Sequence, residues 1–331
     1  MTASTPLLTT GLCLAVAGMV GVTSTASAQD DWPERPLNFV VGFGVGGSAD
    51  RTARALSQFM PEELGQPITV VNREGAGGQL AATYVLAQPD DGYTVLATAI
   101  SPYLANSIIN TGADYELEDF AFVNGQWSDW DIIAANADLG ITSLAGMIEA
   151  ISENPGEHSV SVVPGSAGHL TTYILLDAAG LTDSDLNVVT YESGGAARTA
   201  VAGGQVDFTI LGGEGSEGIR EMITPLAVVR DTPAPNWDAP PVNEALAELD
   251  LEIPVLSGSI RGLATSAEFR DQYPDRFQTL VDAYRRTLEN PEFIAHLEEN
   301  SIGADWLGPE ATTDAVMTTY EVLQEYGHLL D

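Results

Sequence analysis

Lysine is absent from this chain of 331 residues; all twelve basic side chains are arginine, set against 47 acids for a formal net charge of −35. Without lysine there is no Schiff-base chemistry. A single cysteine, Cys13, excludes a disulfide framework within the chain and a thiolate metal cluster. The four histidines (His158, His169, His296 and His328) show no metal-ligand spacing, and no G-x-S-x-G nucleophile elbow occurs. No catalytic residue, metal or cofactor is therefore expected, and no enzyme. The acid excess disfavours nucleic acid and anionic membrane as partners. Like charges never run in long blocks, so the excess reads as a solvated acidic surface suited to high salt, where screening removes self-repulsion.

Long apolar runs are also scarce, and none approaches the roughly 20 residues of a membrane helix. Residues 1–28 carry no charge, hold an apolar run over 12–22 and end in Ala26-Ser27-Ala28. That is the pattern of a secretory signal, although no Lys or Arg precedes the apolar run. Leu12 stands where a lipoprotein signal has a small residue, so lipid anchoring is not expected. The expected location is periplasmic, and the remainder of the chain is long enough for two domains of ordinary size.

The residues that are present are organised around 37–56. Leu37, Phe39, Val40 and Val41 predict a buried strand, and Gly42, Gly44, Gly46 and Gly47 make a loop. From Ser48 a helical face runs through Ala49, Ala53, Leu56 and Met60. Ser48 is placed to cap that helix with its hydroxyl. A glycine loop running into a helix start offers bare N–H donors to a carboxylate or phosphate.

The pattern then repeats. A strand over 68–71, a glycine loop over 72–78, a helix over 79–88 and a strand over 93–98 complete a parallel β-α-β-α-β unit. A long strand over 120–136 is expected to cross to a second unit, which opens on a strand over 159–163, a loop Pro164-Gly165-Ser166-Ala167-Gly168 and a helix over 169–179. Strands over 187–191 and 205–211 flank a helix over 196–202. A proline-rich stretch over 225–241 precedes a return crossing over 252–265, and the end is helical over 274–288, 291–299 and 309–326. Two α/β lobes joined by two crossings would place both glycine loops at one cleft, outside the carboxyl ends of the strands. The expected division is a lobe of 29–127 plus 256–331 and a lobe of 128–255.

The run WPERPLNFVVGFGVGGSADRTARAL, then LGQPITVVNREGAGG, DDGYTVLATAISPYLAN, VTYESGG and GQVDF, is similar to the Bug family, the substrate-binding proteins of tripartite tricarboxylate transporters. The resemblance runs from about Trp32 to the C-terminus. It implies an α/β fold of the two-lobed periplasmic binding protein class (type II, Venus flytrap) with a central cleft. It implies a monomer that hands a small carboxylate (a di- or tricarboxylate, an aromatic acid or an amino acid) to membrane permease subunits. Carried over by position, the ligand-binding residues would be Gly46, Gly47, Ser48, Ala49 and Asp50 in the first loop and Thr98 and Ser101 after the third strand. In the second lobe they would be Gly165, Ser166, Ala167, Gly168 and His169, with Tyr191, Gly194 and Gly195. This chain departs from the family at Gly44-Val45, where a proline is usual, near Ser193, where a basic residue is usual, and at Ile260-Arg261, where an aromatic pair is usual.

Several of these residues have a plainer reading. Asp50 in a first helical turn complements the helix dipole, worth ~0.3–1 kcal/mol, or it receives an ammonium, hydroxyl or water. Glu214 is a candidate ligand residue that would favour a positive group on the solute, or a solvated acid on an acidic surface. Ser166 is a helix-start residue or a ligand contact, and Arg261 a counter-ion to the ligand or a surface ion-pair partner. Trp127 and Trp130 read as hinge packing. Gly42-x-Gly44-x-x-Gly47 matches the dinucleotide fingerprint, but Asp50 would repel a pyrophosphate. The remaining alternatives are a sensory receptor for a membrane kinase, a nucleotide-binding protein and a hydrolytic α/β enzyme.

Overall fold

Alternation along β1 (Leu37–Val41) sends Leu37, Phe39 and Val41 to one face of a sheet and Val40 to the other, and both faces are covered. The first three pack with Ala49, Ala53, Leu56 and Met60, so the apolar face expected from the sequence is the one the helix α1 (Ser48–Phe59) buries. Val40 meets Ala81, Ala82 and Val85 on the opposite side. The computed structural model describes residues 1–3, 31–256 and 258–330, without the side chain of Leu330. Apart from its first three residues, the expected secretory segment, with Cys13, lies outside the described residues.

From Trp32 onward the chain forms one unit. After β1 and α1 come α2 (Pro61–Leu64), β2 (Ile68–Asn72), α3 (Gln79–Leu86), β3 (Thr94–Ser101), α4 (Tyr103–Asn110) and β4 (Phe120–Ser128). The middle of the chain supplies β5 (Asp131–Asn136), α5 (Leu144–Glu153), β6 (His158–Val162), α6 (Ala167–Ala178), β7 (Leu186–Thr190), α7 (Gly194–Ala202), β8 (Phe208–Gly212), β9 (Ile223–Val228) and α8 (Val242–Leu246). The chain returns through β10 (Ile260–Ser266) and ends in α9 (Ala267–Gln272), α10 (Pro274–Glu289), α11 (Pro291–Glu299) and α12 (Gly308–Tyr326). Asn290 caps α11 with Pro291 at its first position, as the sequence predicts.

The strands form two five-stranded sheets with one plan: β2-β1-β3-β10-β4 and β7-β6-β8-β5-β9. In each, four strands run parallel and one (β10 or β5) runs antiparallel between two of them; β10 returns to the first sheet after the whole of the second, whereas β5 to β9 are consecutive in the chain. The long strand expected over 120–136 is in fact two strands. It breaks at Asp129-Trp130, so that β4 finishes the first sheet and β5 enters the second. The two crossings lie side by side there, tied by Asp129 N–H donating to the carbonyl of Ser259 at 3.1 Å. Gly258 has no room for a Cβ, which would collide with the backbone of Asp129.

β9 (Ile223–Val228) runs into the start of the stretch that the sequence marks as proline-rich. Pro225 is tolerated because β9 is an edge strand, paired only with β5. The apolar interior is not split into one core per sheet. A cluster containing Val40, Leu96 and Leu104 continues through Ile133, Val160, Leu170 and Ile210 of the second sheet's half. α12 packs on β4 and α4, and the last turn (Gly327–Leu330) rests against both α4 and α6.

Candidate functional site

Register places the site. Ser101, at the end of β3, lies in one row with Ile260 and Ser128, while Asp131 pairs with Gly212 at the end of β8. Two residues separate Ser128 from Asp131, so the carboxyl ends of both sheets meet at the crossings. That is where ligands bind in open α/β sheets.

The first loop is held from within. Asp50 is 1% exposed. Its Oδ2 accepts from Gly46 N–H and from Arg54 Nε, and its Oδ1 from Asn72 Nδ2, each at 2.8 Å. Burial works against its ionisation, but the hydrogen bonds from Arg54, Gly46 and Asn72 outweigh it and hold the carboxyl below its usual range. The structure thus gives Asp50 to the loop's own network. Gly46 N–H is occupied by Asp50, and Gly47 N–H donates to the carbonyl of Gly44 at 3.1 Å. The first helical bond of α1 runs from Arg51 N–H to Gly47. The open end of the helix is therefore the amides of Ser48, Ala49 and Asp50. Ser48 does not cap α1, as the sequence suggests. Gly47 holds the cap position, and the Ser48 hydroxyl accepts from Arg261 Nε at 3.0 Å.

In the second loop Ser166 is the cap: its Oγ accepts from His169 N–H at 3.1 Å. Gly165 N–H donates to His169 Nδ1 at 3.3 Å, which fixes that nitrogen as the unprotonated one, and burial lowers the pKa of the ring. Ala167 and Gly168 are buried in the first turn of α6. Gly168 is packed so closely on the carbonyl of Ile210 that a Cβ would overlap it. Gly165, at φ +71°, leaves only 2.7 Å between its Cβ position and Asn106 Nδ2 on α4, so this loop rests on the first sheet's half. One turn earlier on α4, Tyr103 stacks edge-on with Phe43 of the first loop, ring centroids 4.9 Å apart. Both loops thus look onto the seam at α4.

Three arginines gather at that seam, and Arg261 is no surface ion-pair partner. Its side chain is 12% exposed, 3.6 Å from Asp129 Oδ2, and it shares the ring of Trp127 with Arg51 at centroid distances of 4.9 and 5.2 Å. Arg198 of α7 donates to Ser216 Oγ and to the carbonyl of Gly212, both at 3.0 Å, and stands against Gly194. It places a guanidinium against the turn at 193–195, which carries no basic residue of its own. Burial lowers the pKa of Arg51 and Arg198, and the charge of Arg261 lowers both further. Arg198, Asp129 and Asp131 were not among the expected site residues. Asp50, Asp129 and Asp131 are the buried acids among the described residues, and two of them belong to this cluster. Asp131 is pushed up to about 7, first by burial and then by Asp129, with Arg261 and Arg198 pulling the other way.

Polar atoms without partners mark the same place. Thr98 Oγ1, Ser101 Oγ and Asp131 Oδ2 are buried and unpaired. Thr98 sits under the first loop, 3.1 Å from the Cβ position of Gly42. Gly195 follows Gly194 in the first turn of α7, which Ser193 caps. Tyr191 is half-buried and packs against the apolar cluster that contains Ile132, Val201 and Val228. Glu214 adjoins this cluster, its N–H donating to Asp129 Oδ1 at 3.3 Å. Its Oε2 accepts from Trp127 Nε1 at 2.7 Å across the crossings, and partial desolvation raises its pKa. It faces a cavity of about 1050 Å³ walled also by Trp127, Trp130, Trp237 and Asp305, with neither glycine loop among its walls. Trp127, 3% exposed, packs in the core of the first sheet's half, with Arg51 and Arg261 over its ring.

Two sheets of one plan, each with a single antiparallel strand second from its edge and meeting at their carboxyl ends, define a two-lobed α/β fold of the periplasmic binding protein class. Residues 52–215 match the family described as tripartite tricarboxylate transporter family receptor. The chain is 32% identical over 199 residues to Protein BugT of Bordetella pertussis, covering 59% of each chain. It spans about three fifths of the length of the first curated relatives that it matches. A Rhodopseudomonas palustris protein solved with adipate superposes with a TM-score of 0.72 at 25% identity, over 91% of this chain and 98% of that one. A TctC solute binding protein from Polaromonas gives 0.70 at 21% identity, over 90% and 99%. The matched region, residues 52–215, is thus similar to the tripartite tricarboxylate transporter family receptors, and the fold is shared with solved solute-binding proteins.

Proposed function

We propose that this protein is an exported receptor that captures a small carboxylate at the seam between its two sheets and delivers it to the permease subunits of a tripartite tricarboxylate transporter. The observation that carries this reading is the gathering of Arg51, Arg198 and Arg261 around unpaired buried hydroxyls, in a chain with 12 arginines against 47 acids. Three guanidiniums destabilising one another are relieved by an anion. The first-turn amides of α1 (Ser48, Ala49 and Asp50) and of α6 (Ala167 and Gly168) add positive helix ends from both sides. Thr98 and Ser101 would donate from below, while Gly46, Gly47, Gly165, Ser166 and His169 would shape the loops. The adipate-bound relative supports a ligand of dicarboxylate size.

Each charge-assisted hydrogen bond contributes ~1.5–3 kcal/mol. A few of them, less the ordering and closure costs, give roughly −8 kcal/mol, an affinity near micromolar. Under this reading residues 29–127 with 256–331 and residues 128–255 part and close by bending at the crossings.

The test is a thermal-shift screen of mono-, di- and tricarboxylates with the purified protein in molar salt. At least one should raise the melting temperature in proportion to the logarithm of its concentration. Arg261→Gln should then weaken that carboxylate by about tenfold or more. A screen without a single stabilising carboxylate overturns the reading.

A further inference from the structure

Asp131 is the one group at the seam whose chemistry a plain carboxylate does not use. It is 7% exposed and opens β5 at the carboxyl ends of the second sheet. One of its oxygens is buried with no partner. Ionised, that oxygen can only accept, so it calls for a donor. Neither neighbouring cation fills the gap: the hydrogen bonds of Arg261 run to Ser48 and Ser259, and those of Arg198 to Ser216 and Gly212. Nor does Tyr103 fill it: its hydroxyl, close enough to feel the charges of Asp131 and Arg261, is engaged with Ser259.

We propose that Asp131 sets specificity: its free oxygen receives an N–H or O–H donor that the ligand carries beside its carboxylate. The site then prefers 2-amino or 2-hydroxy carboxylates over unsubstituted ones. This rests on the receptor reading above and adds the ligand's second functional group. The carboxylate lies toward the arginines and the amine or hydroxyl toward Asp131. An acid and a base at one seat reject the unsubstituted analogue because it leaves a buried acceptor unpaired. An ammonium also meets the charge on Asp131 and Asp129, whereas a hydroxyl meets only the hydrogen bond.

Isothermal titration with two matched series tests this: succinate, malate and aspartate, then adipate and 2-aminoadipate. Each series holds the carbon skeleton and varies only the group on the second carbon. In at least one series the donor-bearing member should bind about tenfold or more tighter than the plain diacid. Asp131→Leu should erase that ratio, the donor-bearing member and the plain diacid then binding alike to within about threefold. Asp131→Asn, which keeps the shape and one acceptor but no charge, serves if the Leu variant fails to fold; it should depress the amine more than the hydroxyl. Equal or tighter binding of the plain diacid, or a ratio that survives both variants, overturns the assignment of Asp131. If no probe binds and the wider carboxylate screen is also empty, it is the receptor reading that falls.

Discussion

Buried Asp131 makes stability depend on pH in a direction opposite to most carboxylates. It faces Asp129 at the crossing, Arg261 on β10, Arg198 on α7 and Tyr103 on α4, and its pKa stands at about 7 against an ordinary value of 3.8. Because the folded value lies above the unfolded one, the folded state holds the proton more tightly between these two. The contribution is complete below pH 3.8 and is lost as pH rises through 7. Asp131→Asn fixes the neutral form, so its melting temperature relative to wild type should climb from near zero at pH 4 to a plateau above pH 7. A difference that stays flat over that range would mean that Asp131 is ionised throughout. His169 has the reverse sign. Burial lowers its pKa, so its contribution is present above the ordinary histidine value and is lost as pH falls below it.

At the scale of elements, the first loop owes its shape to Asp50. The carboxylate closes three hydrogen bonds at 2.8 Å, to Gly46, Arg54 and Asn72, and so ties the loop, α1 and β2 together. Asp50→Ala leaves those donors without their buried acceptor and should cost about 3 kcal/mol, read as a lower denaturant midpoint with an unchanged slope. Carboxylate affinity should fall as well, since the amides of α1 are aimed by this loop. The loop and helix were legible because glycine spacing and apolar periodicity are local signals. The partners of their side chains were not. Ser48 looks like a cap in sequence, yet its hydroxyl belongs to Arg261, 213 residues away. Arg198 was hidden because the neighbourhood of Ser193 is built one helical turn later. β9 was hidden by Pro225, which an edge strand permits. The Asp129-Trp130 break was invisible because β4 and β5 are both apolar and differ only in which sheet they join.

Across the whole molecule charge is segregated. Of the acids described, all but Asp50, Asp129 and Asp131 lie at least partly at the surface, while three arginines are drawn into the seam. A chain with a net charge of −35 repels itself most at low ionic strength. Raising salt from 0.1 M to 1 M shortens the screening length from about 10 Å to about 3 Å, which removes most repulsion between exposed carboxylates. Melting temperature should therefore climb steadily between 0.1 M and 1 M sodium chloride, by several degrees for the few kcal/mol that such relief supplies. The seam should respond less, because its charges are largely out of water and are screened less. A carboxylate that binds there should keep its affinity within about tenfold over the same range, whereas an anion held only by exposed arginines would lose it. Melting that is indifferent to salt would mean that the exposed acids lie too far apart to matter. Affinity that collapses with salt would place the bound anion at the surface and not between the sheets.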